Sequence, residues 1–455
     1  MKKRMCKIMA LAMTAAMVVP MAAQTTAFAA DDKEITYWNI AVESPDKDIV
    51  TAAVDKFNKE TKSGYTVNQV AIQNDTYKEK LVIAMSSGEC PDMYSSWSGG
   101  PMYEYIDSGF AQPIDDLLDQ SDIKDKLLDA AIEQGSYKGH VYAIPYMNVV
   151  LAGIFYNKDM FKQYGLEEPK TLADLENICA TLKENGITPF ALANGSKWTG
   201  SMYFMSLAAR YGGLEPFQNA VAGTGKFTDD CFIKAGEKIQ EWVKNGYFPD
   251  GVNSLSEDDG QAKQLMYQET AGMLLCGSWY TGTFQTDSEE FYQKIGWFPF
   301  PAIDDSDADP TIQIGTVGDQ FISFNCEGDK LAAAFECAAD HLSDEVEDMI
   351  YSTGKIAPVK DAGDHISDPV VKEIFDAAQE ASSIQLWYDQ YLPTSVATAH
   401  LDGLQEVFGL TKTPQEAQEE MQTAMDEYLS TKSDSGAADD TAEEATDDAA
   451  ADDAE

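Results

Sequence analysis

Short extended runs alternate with helical periodicity in the first quarter of the chain, and this alternation constrains the fold more than any other feature. Residues 34–40 and 64–72 have the apolar character of strands. Residues 45–60 and 77–87 carry apolar side chains at spacings of three and four, as on one face of a helix. A third short strand is predicted in CPDMYSSW, at 90–97. Strands and helices in this order are typical of βαβ units, so we expect an α/β fold with a largely parallel sheet.

The ends of these three predicted strands are polar or aromatic. They are Trp38-Asn39, Gln73-Asn74 and Trp97-Ser98. In open parallel sheets, ligands bind beyond the carboxyl ends of the strands. We therefore expect a binding site at this edge of the sheet.

The rest of the chain continues the same alternation. Residues 141–161 are extended and are interrupted by Pro145 and Gly153, which suits a crossing between two lobes. A helix is predicted to begin after Thr171, which forms an N-terminal cap with Asp174, and to end at Gly186. Further strands are predicted at 295–303 and 319–325, and helices at 198–248, 329–343, 368–382 and 414–429.

Both ends of the sequence differ from the middle. Residues 1–30 combine four basic residues, a short apolar run and Ala27-Phe28-Ala29, which is the pattern of a cleavable secretory signal peptide. We therefore expect an exported protein, periplasmic or associated with the cell surface. Residues 431–455 are built mainly from Ala, Asp, Glu, Ser and Thr. Such a composition buries too little apolar surface to fold, so we expect a disordered acidic tail.

The charge and the cysteines exclude several classes of partner. The formal net charge is −45, and no basic stripe is present to contact nucleic acid or an anionic membrane. Six cysteines lie beyond residue 30 without C-x-x-C spacing. We expect most of them to be buried free thiols rather than parts of a zinc or redox motif.

The sequence offers few candidates for catalysis or metal binding. It has no H-E-x-x-H, G-x-S-x-G or Walker A motif, and its four histidines are dispersed. Residues 304–310 have alternating aspartates but lack the glycine and glutamate of a calcium loop. Because 77 residues are acidic, carboxylate pairs of the kind that hydrolyse glycosides are unavoidable and uninformative. We therefore expect no enzyme, no metal and no cofactor.

Tryptophan and tyrosine recur beside small or amide residues in five places. These are YWN at 37–39, SSWSGG at 95–100, NGSKWTG at 194–200, GSWYTG at 277–282 and LWYDQY at 386–391. A sugar ring packs its apolar face on an aromatic plane, while amides and carboxylates bond its hydroxyls. Core packing explains any one tryptophan at least as well, but we expect three or more clusters to share one site. The small residues around Trp279 would give a sugar room to approach the indole, with Tyr280 as a packed support.

Taken in order, these motifs resemble the extracellular solute-binding proteins of carbohydrate ABC transporters, of the maltose-binding-protein type. The resemblance is carried by residues 86–100, 141–175, 269–284, 294–304, 318–325 and 352–360, and extends over 34–429. It implies a two-lobed fold of the periplasmic-binding-protein type, in which each lobe is a mostly parallel sheet flanked by helices. The ligand cleft would lie between the lobes.

The same resemblance implies three crossings between the lobes, near residues 146–150, 296–301 and 341–346. The amino lobe would then comprise 31–147 and 299–342, and the carboxyl lobe 148–298 and 343–430. Both lobes would be discontinuous in sequence.

Position in the family pattern also implies a set of cleft residues. They are Trp38, Asn39, Asn74, Trp97, Tyr146, Asn148, Trp198, Trp279, Asp319, Trp387 and Tyr388. We assign stacking on the sugar to Trp198 and Trp279, and hydroxyl binding to Asn74 and Asp319.

The function implied by the resemblance is that of a monomeric receptor for a carbohydrate, which closes around its ligand and delivers it to the membrane permease of an ABC importer. No lipid-anchor cysteine follows the apolar signal region, which departs from many Gram-positive relatives.

Two other functions stay open on the sequence. One is a secreted carbohydrate-active enzyme with an aromatic cleft. The other is a receptor for a non-sugar solute, such as an amino acid, a polyamine or a metal. A positively charged ligand would call for more acidic residues in the cleft than the tryptophan clusters suggest.

Overall fold

The computed structural model describes residues 33–447, with side chains described as far as residue 431. The signal peptide expected at 1–30 lies outside the described residues. The strands are β1 Glu34–Asn39, β2 Thr66–Ala71, β3 Met93–Ser96, β4 Ser136–Tyr137, β5 His140–Val141, β6 Ala143–Pro145, β7 Val150–Asn157, β8 Thr188–Phe190, β9 Ala271–Gly277, β10 Ile295–Pro299, β11 Gln313–Thr316, β12 Phe321–Phe324 and β13 Ile384–Gln385.

The helices alternate with these strands. They are α1 Asp46–Glu60, α2 Asn74–Ser87, α3 Gly100–Asp107, α4 Asp115–Asp119, α5 Ile123–Lys126, α6 Asp129–Gln134, α7 Lys158–Tyr164, α8 Leu172–Glu184, α9 Trp198–Gly212, α10 Glu215–Val221, α11 Asp230–Asn245, α12 Gln261–Tyr267, α13 Tyr280–Asp287, α14 Glu289–Tyr292, α15 Gly328–Asp340, α16 Asp344–Ser352, α17 Pro369–Glu380, α18 Tyr388–Tyr391, α19 Thr394–Phe408 and α20 Pro414–Asp447. The capping box predicted for Thr171 and Asp174 is present at the start of α8.

The first lobe is built on a five-stranded sheet with the order β2-β1-β3-β12-β6. The strand β1 pairs in parallel with β2 and β3, as the βαβ pattern predicts. The strand β12 pairs antiparallel with both β3 and β6. Helix α1 packs on α15 and α16, and it buries an apolar face that includes Ile49, Val50 and Phe57.

The second lobe is built on a sheet with the order β13-β11-β7-β9-β8, with β10 also paired to β7. Its central strands β7 and β9 are buried along their whole length. The strand β7 runs antiparallel to β9, β10 and β11, whereas β8–β9 and β11–β13 are parallel. Both sheets are therefore mixed. The two-lobed α/β prediction is confirmed, but the mostly parallel pairing is wrong, because the strands on either side of the crossings run against their neighbours.

Helices α9, α11, α19 and α20 pack together in the second lobe. Arg210 of α9 is buried and points at the segment that follows β10. Its guanidinium donates to the carbonyl oxygens of Phe300, Pro301 and Ile312, at 2.7–3.2 Å. These bonds hold residues 300–312 against the second lobe.

The chain crosses between the two sheets at three places. The first crossing, between β6 and β7, lies at 146–149; the range expected from the sequence was 146–150. The second lies at 317–320, between β11 and β12, rather than at 296–301. The third lies between α16, which packs on α1, and α17, which packs on β10, so it falls within 353–368 rather than at 341–346.

The lobe boundaries expected at 299 and 343 are corrected accordingly. Because β10 pairs with β7, and β11 pairs with β7 as well, the whole segment up to residue 316 belongs to the second lobe. The extended, proline-containing stretch at 296–301 is equally compatible with an edge strand and with a crossing. The sequence pattern therefore placed the second crossing there by mistake.

Asn148 joins the three crossing segments. Its carbonyl oxygen accepts from the backbone N–H of Asp319 at 2.8 Å. Its side-chain oxygen accepts from the N–H of Ile356 at 2.8 Å. The backbone of Val149 donates to the carbonyl of Ile356 at 2.7 Å. A change in the path of one segment therefore strains the hydrogen bonds of the other two.

The last helix differs from its expectation. The backbone of α20 is helical through Asp447, so it includes residues 431–447 of the segment expected to be disordered. Alanine and glutamate have high helix propensity, which allows the helical backbone to continue through this segment. The remaining eight residues of that segment, 448–455, lie outside the described residues.

The cysteines follow the prediction. All six cysteines beyond residue 30 are unpaired, with Cys90 half-buried and the others buried. Within residues 33–447, no helix combines the length and the apolar character needed to cross a membrane.

Candidate functional site

A cavity of about 220 Å³ lies between the two lobes. Its lining residues are Ile40, Asp46, Asn74, Lys78, Trp97, Trp198, Met202, Met205, Glu257, Asp258, Trp279, Asp319, Gln320, Trp387, Asp389 and Gln390. Three of them, Ile40, Asn74 and Trp97, stand just beyond the carboxyl ends of β1, β2 and β3. This is the edge at which the strand pattern predicts a site.

Four of the five aromatic clusters meet at this cavity. The indole rings of Trp198 and Trp279 have centroids 5.9 Å apart, and those of Trp279 and Trp387 are 6.2 Å apart. Trp97 faces them from the first lobe, with the Nζ atom of Lys78 at 5.0 Å from the centre of its ring. Four of the clusters therefore line one cavity, and their sharing of one binding site stays a prediction.

Trp279 is held in place by the residues on either side of it. The strand β9 ends at Gly277, where a β-carbon would overlap the six-membered ring of Trp279. Helix α13 begins at Tyr280, which is 3 % exposed and donates its hydroxyl to Glu257. Tyr280 is thus the packed support that the sequence predicts. The glycine makes room for the indole itself rather than for a sugar.

The motif NGSKWTG starts helix α9. The side-chain oxygen of Asn194 accepts from the backbone N–H of Gly200 at 3.1 Å, close to the first turn of the helix. Trp198, Met202 and Met205 then follow at spacings of four and three, and all three line the cavity. The indole Nε1 of Trp198 is buried and has no hydrogen-bond partner among the described residues.

Carboxylates form the polar part of the wall. Burial raises the pKa of Asp319 from 3.8 to about 7, with the charge of Asp46 adding to the rise and that of Lys355 opposing it. Burial likewise raises the pKa of Glu257 from 4.5 to about 7, against the hydrogen bond from Tyr280. Burial also raises the pKa of Asp258. These side chains can bond hydroxyl or amine groups of a ligand.

Six of the eleven residues expected in the cleft line the cavity. They are Asn74, Trp97, Trp198, Trp279, Asp319 and Trp387. Trp38, Asn39, Tyr146, Asn148 and Tyr388 are not among the lining residues.

The other expected cleft residues pack against or hydrogen-bond to other parts of the protein. Trp38 packs with Tyr77 in a satellite cluster of the first lobe. Asn39 is buried and accepts from the backbone of Ala41 at 3.0 Å, while Asn148 holds the crossings. Tyr388 is stacked on Phe217, with centroids 4.1 Å apart, in the second lobe.

Tyr146 acts one layer behind the cavity. Its hydroxyl donates to the side-chain oxygen of Gln320 at 2.7 Å, and Gln320 is itself a lining residue. The backbone N–H of Tyr146 also donates to the carbonyl of Gln320 at 3.1 Å. Tyr146 therefore positions a cavity residue instead of facing the cavity.

Sequence reasoning missed ten lining residues. They are Ile40, Asp46, Lys78, Met202, Met205, Glu257, Asp258, Gln320, Asp389 and Gln390. Met202 and Met205 carried a usable signal, because their spacing from Trp198 places them on its helix face. Glu257 and Asp258 lie in the loop that precedes α12, where only the tertiary fold shows that they face the cleft.

Direct contacts join the lobes on both sides of the cavity. The backbone N–H of Asp75 in the first lobe donates to Asp258 in the second at 3.0 Å. Glu104 of α3 accepts from the backbone N–H and the hydroxyl of Thr394, at 3.0 and 2.6 Å. A β-carbon on Gly100 would overlap the carbonyl oxygen of Leu392. The lobes are therefore closed on each other in this structure.

The fold and this cavity define a solute-binding protein. The model of the bacterial extracellular solute-binding protein family matches residues 41–339, and the chain belongs to that family.

Individual relatives agree with this assignment. The chain is 31 % identical over 228 residues to an uncharacterized ABC transporter extracellular-binding protein of Pyrococcus horikoshii, covering 50 % of each chain. It is 22 % identical over 259 residues to a xylose/arabinose-binding protein of Haloferax volcanii, covering 55 % of each chain. The chain thus spans about half the length of these curated relatives. A solved structure from work on xylan utilization by Caldanaerobius polysaccharolyticus is similar over 86 % of this chain and 99 % of that one, with 29 % identity and a TM-score of 0.78.

Proposed function

We propose that this protein is an extracytoplasmic receptor for a saccharide, in agreement with the function implied by its sequence. The observation that carries the proposal is the cavity between the lobes, where four tryptophans stand beside carboxylates and amides. Indole faces accept the apolar face of a pyranose, and carboxylates and amides accept and donate hydrogen bonds to its rim. The xylose/arabinose-binding relative supports a sugar as the solute class.

The geometry of the cavity assigns separate tasks to its residues. Trp279 has an indole neighbour on each side and is fixed by Gly277, so it is our choice for the main stacking surface, together with Trp198. Asn74 stands on the first lobe and Asp319 in the second crossing, and both bond hydroxyl groups of the ligand. A ligand held between the four residues contacts both lobes at once.

This arrangement explains closure. A ligand that contacts both lobes stabilises the closed form by its differential affinity for that form. The pairs Asp75–Asp258 and Glu104–Thr394 form between the lobes and add to the same preference. We propose that the closed form is then recognised by the permease of an ABC importer, that the protein acts as a monomer, and that residues 1–30 direct its export.

The test is a binding assay that also detects turnover. Purified protein, freed of carried-over ligand by unfolding and refolding, is titrated with mono- and oligosaccharides while tryptophan fluorescence is recorded. Stoichiometric binding with the sugar recovered intact supports the receptor. Release of hydrolysed product would show the secreted carbohydrate-active enzyme instead, and an absence of binding to any saccharide would contradict the proposal.

A further inference from the structure

The cavity wall carries more carboxyl groups than a neutral sugar requires. Its ionisable residues are Asp46, Glu257, Asp258, Asp319, Asp389 and a single lysine, Lys78. An excess of acidic residues is ordinary on a solvated surface. Inside a cavity between two closed lobes, the same charges are partly desolvated and repel one another more strongly.

Only two of these five carboxylates have a cation of their own. Asp46 forms an ion pair with Lys355, and Asp389 lies 3.7 Å from the Nζ of Lys78. Among residues 33–431, no lysine, arginine or histidine lies within ion-pair distance of Glu257, Asp258 or Asp319. These three carboxylates therefore have no ion-pair partner of their own, and the lysines that face them, Lys263, Lys78 and Lys355, act from beyond ion-pair distance.

Hydrogen bonds compensate these three carboxylates unequally. Glu257 accepts from the hydroxyl of Tyr280, and Asp258 accepts from the backbone N–H of Asp75 at 3.0 Å. The carboxylate of Asp319 accepts no hydrogen bond from any residue in the described part of the chain; its only hydrogen bond uses its backbone N–H, which donates to Asn148. Asp319 is thus the least compensated acidic group of the cavity.

We infer that the ligand is a saccharide carrying a protonated amine, as in a glucosamine unit, and that this amine lies against Asp319. The inference rests on the proposed function and names the class of saccharide. An ammonium group supplies three donors and a positive charge, whereas a hydroxyl supplies one donor and leaves the charge uncompensated. The indole faces that surround the cavity also attract a cation.

The ionisation of Asp319 is consistent with this assignment. Burial raises its pKa to about 7, and Lys355 opposes that rise only in part because it is paired with Asp46. A bound ammonium favours the ionised carboxylate. Binding of an amino sugar near pH 7 should therefore release protons, and binding of the matching neutral sugar should not.

The experiment compares sugars that differ only in the substituent at carbon 2 of each ring. Glucosamine and its dimer are titrated by calorimetry into the ligand-free protein, each beside its N-acetylated form and its hydroxyl counterpart, glucose and cellobiose. We expect the amines to bind at least tenfold more tightly than either counterpart. We also expect their affinity to fall as the sodium chloride concentration rises, because salt screens the attraction.

An isosteric variant tests the assigned contact. Asp319→Asn should weaken amine binding at least tenfold more than it weakens binding of the matching neutral sugar, because only the amine loses an opposite charge. Asp340→Asn, which is outside the cavity lining and paired with Lys56, is the matched control and should change neither. Circular dichroism establishes that both variants are folded.

The outcomes separate the two proposals. Neutral or N-acetylated sugars that bind as tightly as the amines would overturn this inference and leave the sugar receptor in place. Equal losses for amines and neutral sugars in Asp319→Asn would also overturn it. Binding of spermidine without binding of any saccharide would overturn both.

Discussion

The hydroxyl of Tyr146 donates a hydrogen bond of 2.7 Å to the side chain of Gln320, and so connects the first crossing between the lobes to the wall of the cavity. The same hydroxyl lies 3.2 Å from that of Ser95 on β3. Gln320 belongs to the second crossing and faces the cavity. Ligand contact and lobe orientation therefore share one side chain.

The variant Tyr146→Phe tests this connection. It removes the hydroxyl and leaves Gln320 free to turn away from its binding position, so we expect sugar affinity to fall about three- to tenfold, equivalent to roughly 1 kcal/mol. Tyr156→Phe is the control, because its hydroxyl bonds to Glu168 away from the cavity at 2.7 Å. Titration calorimetry on both proteins gives the comparison, and equal affinities would show that Tyr146 has no positioning role.

The variant Trp279→Ala tests the main stacking surface. Loss of one indole face and its buried area should weaken sugar binding at least tenfold, or roughly 1.4 kcal/mol, while the fold stays intact. Tyr164→Ala removes a half-buried aromatic ring of α7 outside the cavity and should leave affinity unchanged. A Trp279→Ala protein that is unfolded by circular dichroism would assign the indole to the core instead.

The variant Gly277→Ala tests whether the glycine fixes the position of the Trp279 indole. Since the added methyl group would overlap the ring of Trp279, we expect the ring to move and affinity to fall although the tryptophan is present. Gly272→Ala on the same strand meets Leu182 instead, and should cost stability without affecting affinity. In the double variant, Gly277→Ala should cause no loss of sugar affinity beyond that caused by Trp279→Ala. Additive losses of affinity would show that Gly277 does not act through the indole.

The variant Gly100→Ala tests closure. Its β-carbon would collide with the carbonyl oxygen of Leu392 on the other lobe, so the closed form should be penalised and the open form should not. We expect weaker sugar binding, and a radius of gyration from X-ray scattering that decreases less on ligand addition than in the unmodified protein. Gly225→Ala, whose neighbours lie within the second lobe, controls for a glycine substitution as such. If the Gly100→Ala protein closes fully, the contact between Gly100 and Leu392 is not required for closure.

The ionisation of Asp319 predicts how stability depends on pH. The pKa is raised from 3.8 to about 7 in the folded protein, so folding favours the protonated form. Its contribution is fully present below pH 4 and is lost as the pH rises through 7. In thermal denaturation without ligand, the melting temperature of Asp319→Asn minus that of the unmodified protein should therefore increase from pH 5 to pH 8. A constant difference over this range would show that Asp319 does not titrate there.

The fold was largely predictable because local patterns carry it. The strands β1 and β2 and the helix α8 follow directly from periodicity and from the cap formed by Thr171. The crossings at 317–320 and 353–368 were not predictable, since strand pairing partners are set by contacts between distant residues. Periodicity shows that 295–303 is extended, but not that it pairs with β7.

The site residues that could be predicted are those that come directly after a strand in the sequence. Trp97 and Asn74 stand at strand ends, and Trp279 follows β9 after a small turn. The acidic residues of the wall were hidden in a chain with 77 of them, because nothing in the local sequence separates a solvated carboxylate from one that faces a cavity.

The position of β12 has a consequence for how this chain acquires its structure. This strand lies between β3 and β6, although it follows them in sequence by more than 170 residues. Until residue 324 has been synthesised, the first lobe presents two unpaired strand edges and cannot complete its core. A chain that emerges from the ribosome amino end first therefore stays incompletely folded for most of its synthesis. For the export that we propose for residues 1–30, such a delay would keep the chain in the unfolded state that a translocation channel accepts.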